Sequence, residues 1–158
     1  MNKWLVAAMC FLSVGLMPAL AWAEVGGSFE QGWVRAVPPV SSNTAGYFKL
    51  HNHTDQDRVL VGVSSSVAKV VEMHTVIEAD GASTMQQLKQ LAVPKQDCVL
   101  FEPGGNHIMF IGLKQPLNVG DNVTVTLAFQ DGETLDVELL VQKGQQGKGD
   151  AHHHHQHH

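Results

Sequence analysis

The string NHIMF, residues 106–110, contains two side chains that can bind a metal ion. His107 and Met109 are two positions apart, with the apolar Ile108 between them. In a β-strand, residues two apart project from the same face of the sheet. His107 and Met109 would then present an imidazole and a thioether side by side, while Ile108 and Phe110 would point the opposite way.

A second histidine–methionine pair spans a predicted turn. His74 and Met85 lie on either side of EADGA, whose residue types favour a hairpin turn. If the turn is centred between Ala79 and Asp80, His74 and Met85 are directly opposed on neighbouring strands. Directly opposed residues share a face, with β-carbons roughly 5 Å apart. The two pairs together predict a four-ligand site of two imidazoles and two thioethers.

This ligand set favours one metal ion over others. Thioethers are soft, neutral ligands that suit Cu(I) and add little for zinc, which prefers thiolate, imidazole or carboxylate. A neutral set leaves the cuprous charge uncompensated, which favours exchange over permanent retention, and it avoids an easily oxidised thiol. The residues therefore predict a Cu(I) carrier outside the cytoplasm. The alternative is that Met85 and Met109 are ordinary core residues.

Four further side chains that can bind a metal ion lie in the predicted domain: one methionine, two histidines and one cysteine. Met73 precedes His74 and should face the opposite side of its strand, so it is predicted to lie in the core or at the rim of the site. His51 and His53 share a face at a strand end, where solvated surface histidines are expected and a weak metal site is the alternative. Cys98 lies in the apolar run DCVLF. It is predicted to be a buried structural thiol, neither a ligand nor a redox partner.

The first 23 residues have the features of a secretory signal peptide: Lys3, an apolar run to about Leu20, and the string AWA before Glu24. We expect cleavage after Ala23, export to the periplasm and no permanent membrane span. Cys10 lies inside the apolar run after a bulky methionine, so lipid modification there is not expected. Removal of Lys3 leaves 9 basic against 15 acidic residues, a net charge of −6. This charge argues against nucleic acid as a partner.

Short runs with strand-like patterns, separated by turn signals, fill the chain from about residue 33 to 141. They predict an all-β domain over residues 24–143, a sandwich or barrel, because no long helical period interrupts them. FQDGET predicts a hairpin with Asp131 and Gly132 at its turn. The predicted strands are GWVRAV, AGYFKLHN, RVLVGVSS, KVVEMHTVI, TMQQLKQL, CVLF, HIMFIGL, NVTVTLAF and ETLDVELLV.

Residues 144–158 change in composition to Gly, Gln, Lys and His, which predicts a flexible tail. Its histidines could chelate Cu(II), because nitrogen ligands suit that ion. A purification tag is the alternative reading of the tail, although Gln156 interrupts the run. The histidines are His152, His153, His154, His155, His157 and His158.

The spacing His-x10-Met-x21-His-x-Met, from His74 to Met109, resembles the signature of the periplasmic copper chaperones called PCu(A)C. The flanks VRAVPP, AGYFKLHN, VEMH and EPGGNHIMFIGLKQPLNVGD are similar to that family too. The resemblance implies a cupredoxin-like Greek-key β-sandwich that binds one Cu(I) and is not an enzyme. It also implies delivery of copper to the copper A centre of cytochrome c oxidase, alongside Sco-type thiol proteins. Some members carry a His- or Met-rich extension that binds Cu(II), which the tail resembles.

We expect the chaperone to be a monomer, and two rival functions remain open from the sequence. An electron-transfer cupredoxin needs a cysteine thiolate with two histidines, and Cys98 has no second histidine near it in sequence. A histidine-rich scavenger of zinc, nickel or copper would not use the thioethers. That reading predicts that replacing Met85 and Met109 leaves metal binding unchanged.

Overall fold

The computed structural model describes residues 26–144, and the predicted signal peptide and histidine-rich tail lie outside these residues. The described chain forms ten β-strands, and the predicted all-β class is confirmed. None of the described residues belongs to a helix long and apolar enough to cross a membrane. The strands are β1 (Gly27–Arg35), β2 (Asn43–Asn52), β3 (Arg58–Ser64), β4 (Ala68–Ala79), β5 (Ala82–Leu88), β6 (Leu91–Val93), β7 (Asp97–Phe101), β8 (His107–Leu113), β9 (Asn122–Phe129) and β10 (Thr134–Gln142).

The strands hydrogen bond into one continuous sheet in the order β5-β4-β8-β2-β1-β10-β9-β3-β6. Strand β2 pairs with β8 along residues 43–46 and with β7 along residues 48–52, so β7 and β8 share one edge of β2. Among the paired strands of the described residues, only β1 and β10 run parallel to each other. The sheet curls over its own core. Strands β3 and β4 lie near opposite ends of the sheet order, yet Val61–Val63 of β3 and Val71–Met73 of β4 line one pocket.

Alternation of buried and exposed residues explains why these segments form strands around one core. In β10, Val137, Leu139 and Val141 are fully buried, while the residues between them face outward. In β2, Phe48 and Leu50 point into the same core. Period-two burial of β-branched and aromatic residues is the pattern that a sheet with one apolar face requires. The outer face is left free for polar and metal-binding side chains.

The predicted hairpin at Asp131 and Gly132 is confirmed, since these residues join β9 to β10. Gly132 has a φ of 90°, which a glycine tolerates without steric strain. Two predicted strands differ from the structure. The strand predicted as GWVRAV begins earlier, at Gly27, and ends at Arg35, and TMQQLKQL is divided at Lys89 and Gln90 into the end of β5 and the start of β6. The division lets β6 pair with β3, at the opposite edge of the sheet from β5.

Candidate metal centre

The hairpin between β4 and β5 has a register that differs from the predicted one. Its turn is Asp80–Gly81, closed by the pair Ala79 and Ala82, so the centre lies one residue later than predicted. Both turn residues have positive φ, 54° and 76°, as a two-residue type I′ turn requires. A turn at Ala79–Asp80 would force that conformation on an alanine, which disfavours it sterically.

The corrected register places His74 opposite Gln87 and Met85 opposite Val76. The predicted direct opposition of His74 and Met85 is therefore wrong. The two are diagonal neighbours and still share a face, because moving the turn centre by one residue changes the pairing by two positions. Diagonal neighbours on one face remain within reach of long side chains such as methionine.

Strands β4 and β8 are adjacent, and their pairing brings the two histidines together. His74 is directly opposed to His107, and their ring centroids are 5.8 Å apart. Met109, two residues after His107, lies on the same face. The four predicted ligands thus occupy one face of the sheet, across the three neighbouring strands β5, β4 and β8.

The imidazole of His107 is held in one tautomer by the backbone. Its Nδ1 lies 3.0 Å from the carbonyl oxygen of Gly105, and a carbonyl can only accept, so Nδ1–H donates. In the neutral ring the lone pair is then on Nε2. His107 is buried, with 5% of its surface exposed, so its free nitrogen is presented from a fixed position.

His74 has the opposite tautomer. Its Nε2 lies 2.8 Å from Oε2 of Glu72, and the carboxylate accepts that hydrogen bond. The lone pair of the neutral ring is therefore on Nδ1, which is buried and has no hydrogen-bond partner among the described residues. A buried nitrogen without a partner is destabilising unless something binds it, which fits a metal ligand.

Glu72 contacts a predicted ligand and is a residue of the candidate site that the sequence did not reveal. It lies two positions before His74, on the same face of β4, and is directly opposed to Met109. A carboxylate that accepts from a ligating imidazole fixes the ring and raises its basicity, as in many metal sites. The signal that could have found it was the glutamate two residues before the histidine in VEMH.

A cleft of about 340 Å³ opens on this face, and Met85, His107 and Met109 line it. His74 lies beside the cleft and does not line it. Met85 is on the edge strand β5 and is 63% exposed, whereas His107 is buried. One thioether is thus accessible from solvent while an imidazole is fixed below it.

Aromatic side chains continue the same face beyond His107. The ring of Tyr47 lies 6.5 Å from that of His107, and Trp33 packs against Tyr47 with 4.6 Å between ring centroids. The guanidinium of Arg35 lies over the Tyr47 ring. Burial raises the pKa of Tyr47, so its hydroxyl stays protonated at neutral pH. Because Trp33 packs on Tyr47, which in turn lies next to His107, the fluorescence of Trp33 should respond to changes at the site.

Met73 lies in the core, on the face opposite His74, with 3% of its surface exposed. The structure thus supports the core position that was predicted for Met73 and not the alternative position at the rim of the site.

Cys98 differs from its predicted position. It is directly opposed to His51 on the outer face, and the core is instead contacted by the adjacent Val99. The thiol is partly exposed and lines a surface pocket with His51 and His53. Cys98 lies beside the half of β2 that does not pair with β8, so it is not in the cleft of the four predicted ligands. A site of one cysteine and two histidines, as an electron-transfer cupredoxin requires, is not formed with His74 and His107.

The chain is similar in sequence to one known family of proteins. Residues 28–141 match the family described as "Putative lipoprotein LpqE-like". The chain belongs to this family. A relative in Leifsonia xyli, described as "Putative lipoprotein Lxx21020", is 36% identical over 113 residues, which are 71% of this chain and 67% of the relative. The uncharacterised protein RP573 of Rickettsia prowazekii is 34% identical over 123 residues, 75% of this chain and 68% of that protein.

Several solved structures of copper-binding proteins resemble this chain in fold. The Cu(I) form of DR1885 from Deinococcus radiodurans is 35% identical, with a TM-score of 0.62 over 80% of this chain and 84% of that one. The copper-bound PCuAC domain of PmoF2 has a TM-score of 0.63 at 21% identity, over 75% of this chain and 94% of that one, which supports the fold. The predicted resemblance to PCu(A)C proteins is thus confirmed, and with it the cupredoxin-like β fold.

Proposed function

We propose that this LpqE-like protein is an exported copper chaperone that binds one Cu(I) through His74, Met85, His107 and Met109. The observation that carries the proposal is the pair of directly opposed histidines with opposite tautomers. Each ring is held by a hydrogen bond at one nitrogen, which leaves the other nitrogen free to bind metal. The Cu(I) form of a 35% identical structure supports copper as the cargo.

The composition of the site supports Cu(I) over zinc. Two imidazoles and two thioethers are a soft, uncharged donor set, and structural zinc sites use thiolate, imidazole or carboxylate. Within residues 26–144, no three His, Cys, Asp or Glu side chains are grouped so as to hold a metal ion. At this face the two histidines therefore need the methionines to complete the donor set.

The exposure gradient of the ligands supports transfer of the ion. Met85 lies on an edge strand and is exposed, so a partner protein or chelator can reach it first. His107 is buried and its ring is fixed by the backbone, so it is suited to hold copper last. A weak, neutral donor set with one exposed member favours exchange of copper over permanent retention.

Replacement of both Met85 and Met109 by leucine tests the site. Leucine has nearly the volume of methionine, so the fold should persist while Cu(I) affinity falls sharply. Affinity is measured by competition with a Cu(I) chelator under reducing conditions. Met73→Leu is the matched control, because it makes the same change beside His74 but in the core. Unchanged Cu(I) affinity in the double variant would exclude the assignment and favour the scavenger alternative.

We further propose export to the periplasm with cleavage after Ala23, and delivery of copper to the copper A centre of cytochrome c oxidase with Sco-type proteins. The family's description as lipoproteins agrees with export, and it makes Cys10 the alternative processing site. The mass of the exported chain decides between a start at Glu24 and a lipid on Cys10. Incubation of the Cu(I)-loaded protein with the soluble copper A domain tests delivery, and absence of transfer would contradict it.

The histidine-rich tail is proposed to capture Cu(II). Six imidazoles within seven residues favour that ion, and the linker at residues 144–151 would keep captured copper near the domain. Truncation after Gly147 should remove most Cu(II) uptake and leave Cu(I) binding by the domain intact. If the truncated chain takes up as much Cu(II) as the full chain, the tail is not the cupric site.

A further inference from the structure

A second cluster of metal-binding side chains lies at the far end of β2 from the proposed copper site. Cys98 of β7 is directly opposed to His51 of β2, so the thiol and the imidazole project side by side from the outer face. Both line one surface pocket of about 220 Å³, together with His53. Two ligand types for soft metals thus share one accessible position.

The imidazole of His51 is positioned like a metal ligand. Its Nε2 lies 2.9 Å from Oε1 of Glu30, and a carboxylate accepts from that nitrogen. The neutral ring then carries its lone pair on Nδ1. His53 stacks on His51 with 5.7 Å between ring centroids and 5° between planes. The ring of His53 is itself held by a hydrogen bond of 2.7 Å between its Nε2 and Oγ of Ser28. The His51 ring is therefore restrained from two sides, and its hydrogen bond to Glu30 resembles the one that Glu72 accepts from His74.

The thiol of Cys98 is free and accessible. It is unpaired and partly exposed. The thiolate is the form that binds metals, and a partly exposed thiol can release its proton to solvent.

We propose that Cys98 and His51 form a second, two-ligand site for Cu(I). Cu(I) is a soft ion that binds thiolate strongly, and two donors suit it. Zinc needs about four donors. His53 lines the same pocket, but among the described residues no three His, Cys, Asp or Glu side chains are grouped so as to hold a metal ion, as zinc would need. On binding, the thiol proton is released to solvent, and the thiolate neutralises the cuprous charge. The choice of copper rests on the proposed function of the protein.

The same face of β2 connects the two sites. Ala45 is opposed to Met109, Tyr47 contacts His107, and Lys49 and His51 follow at alternate positions. Copper at Cys98 would thus lie on the same exposed face as copper at the first site. A negatively charged ligand holds Cu(I) more firmly than thioethers do, so the second site would retain copper while the first exchanges it.

Protection of Cys98 from alkylation tests the proposal, because it is the only cysteine after residue 23. The chain from Glu24 to His158 is treated with iodoacetamide while a chelator buffer sets the free Cu(I) concentration, with a reductant that contains no thiol. Bound Cu(I) should slow alkylation by about tenfold or more, because the coordinated sulfur is no longer a free nucleophile. His51→Gln should shift protection to a higher Cu(I) concentration, and His53→Gln, which removes only the stacking on His51, should shift it less.

The two sites are distinguished by the Met85→Leu/Met109→Leu variant. Cys98 should keep its protection curve there, even though the first site is disabled. Conversely, Cys98→Ser should bind one Cu(I) fewer per chain and keep the affinity of the first site. Alkylation that is unaffected by Cu(I), or protection that is the same in His51→Gln, would overturn the second site. Loss of protection in the double methionine variant would also overturn it as an independent site.

Discussion

The carboxylate of Glu72 should strengthen Cu(I) binding without touching the metal. The change Glu72→Gln keeps an oxygen that can accept the hydrogen bond from His74 and removes the negative charge. We expect the fold to be unchanged, because Glu72 lies on the outer face with 26% of its side chain exposed. We expect Cu(I) affinity to fall, because the carboxylate no longer raises the basicity of the His74 ring.

The structure sets the size of the expected loss. The hydrogen bond from Nε2 of His74 to Glu72 is 2.8 Å long. Adding the width of the ring and one metal–nitrogen bond of ~2 Å puts the charge about 6 to 7 Å from a metal on Nδ1. At an effective dielectric constant of roughly 20 to 40, that separation corresponds to about 1 to 2.5 kcal/mol. The Cu(I) dissociation constant should thus rise by about 5- to 70-fold, which overlaps the range of about 10- to 100-fold for such outer ligands.

Competition with a Cu(I) chelator measures this change, and Glu78→Gln is the matched control. Glu78 lies on the same strand and face and carries the same charge, but it is exposed and opposed to Ser83, four residues from His74. Screening makes its effect on the site small. If Glu72→Gln binds Cu(I) as tightly as Glu78→Gln does, the carboxylate does not support the site and the reasoning is refuted. If Glu72→Gln binds no Cu(I) at all, Glu72 is itself a ligand, which also contradicts the proposed set.

Three further predictions concern the scaffold. Gly81→Ala should destabilise the protein by about 1 kcal/mol in chemical denaturation, because its φ of 76° disfavours alanine, whereas Gly62→Ala should be tolerated, because its φ is not positive and an added Cβ would meet only Ala128, at 3.7 Å. Leu50→Ala should lower the free energy of unfolding by about 2 to 5 kcal/mol, because Leu50 is fully buried, and a loss below 1 kcal/mol would contradict the core position. The pKa of Asp131 is lowered, first by its hydrogen bond from Arg58, so this pair should stabilise the fold above pH ~4 and lose its effect as the pH falls through the lowered pKa. The difference in unfolding midpoint between wild type and Asp131→Asn should therefore shrink in acid, and a difference independent of pH would count against the pair.

The amino-acid sequence determined the fold class and which of the proposed ligands share one face of the sheet. Period-two alternation in segments such as NVTVTLAF fixes which side chains enter the core, because neighbouring residues in a strand point to opposite faces. The same rule placed His107 and Met109 on one face without knowledge of the fold. It also explains why Met73 faces the core while His74 faces outward.

The sequence did not determine the register of the hairpin that carries Met85. Both Ala79–Asp80 and Asp80–Gly81 lie within the turn signal, and the structure uses the second because glycine accepts positive φ. The error did not change the face of Met85, since the pairing moved by two positions. A local steric preference therefore decided which residues are opposed, while strand alternation alone decided which share a face.

Contacts between distant segments were decided by the tertiary structure alone. The pairing of β4 with β8 brings His74 opposite His107, across 33 positions of sequence, and no local pattern specifies it. The free nitrogen of each histidine depends on the partner of the other nitrogen, the Gly105 carbonyl or the Glu72 carboxylate. The outward position of Cys98 follows from which face of β7 covers the core. Apolar runs as short as CVLF do not reveal that face, because both alternating sets, Cys98 with Leu100 and Val99 with Phe101, are apolar and only packing against β2 selects between them.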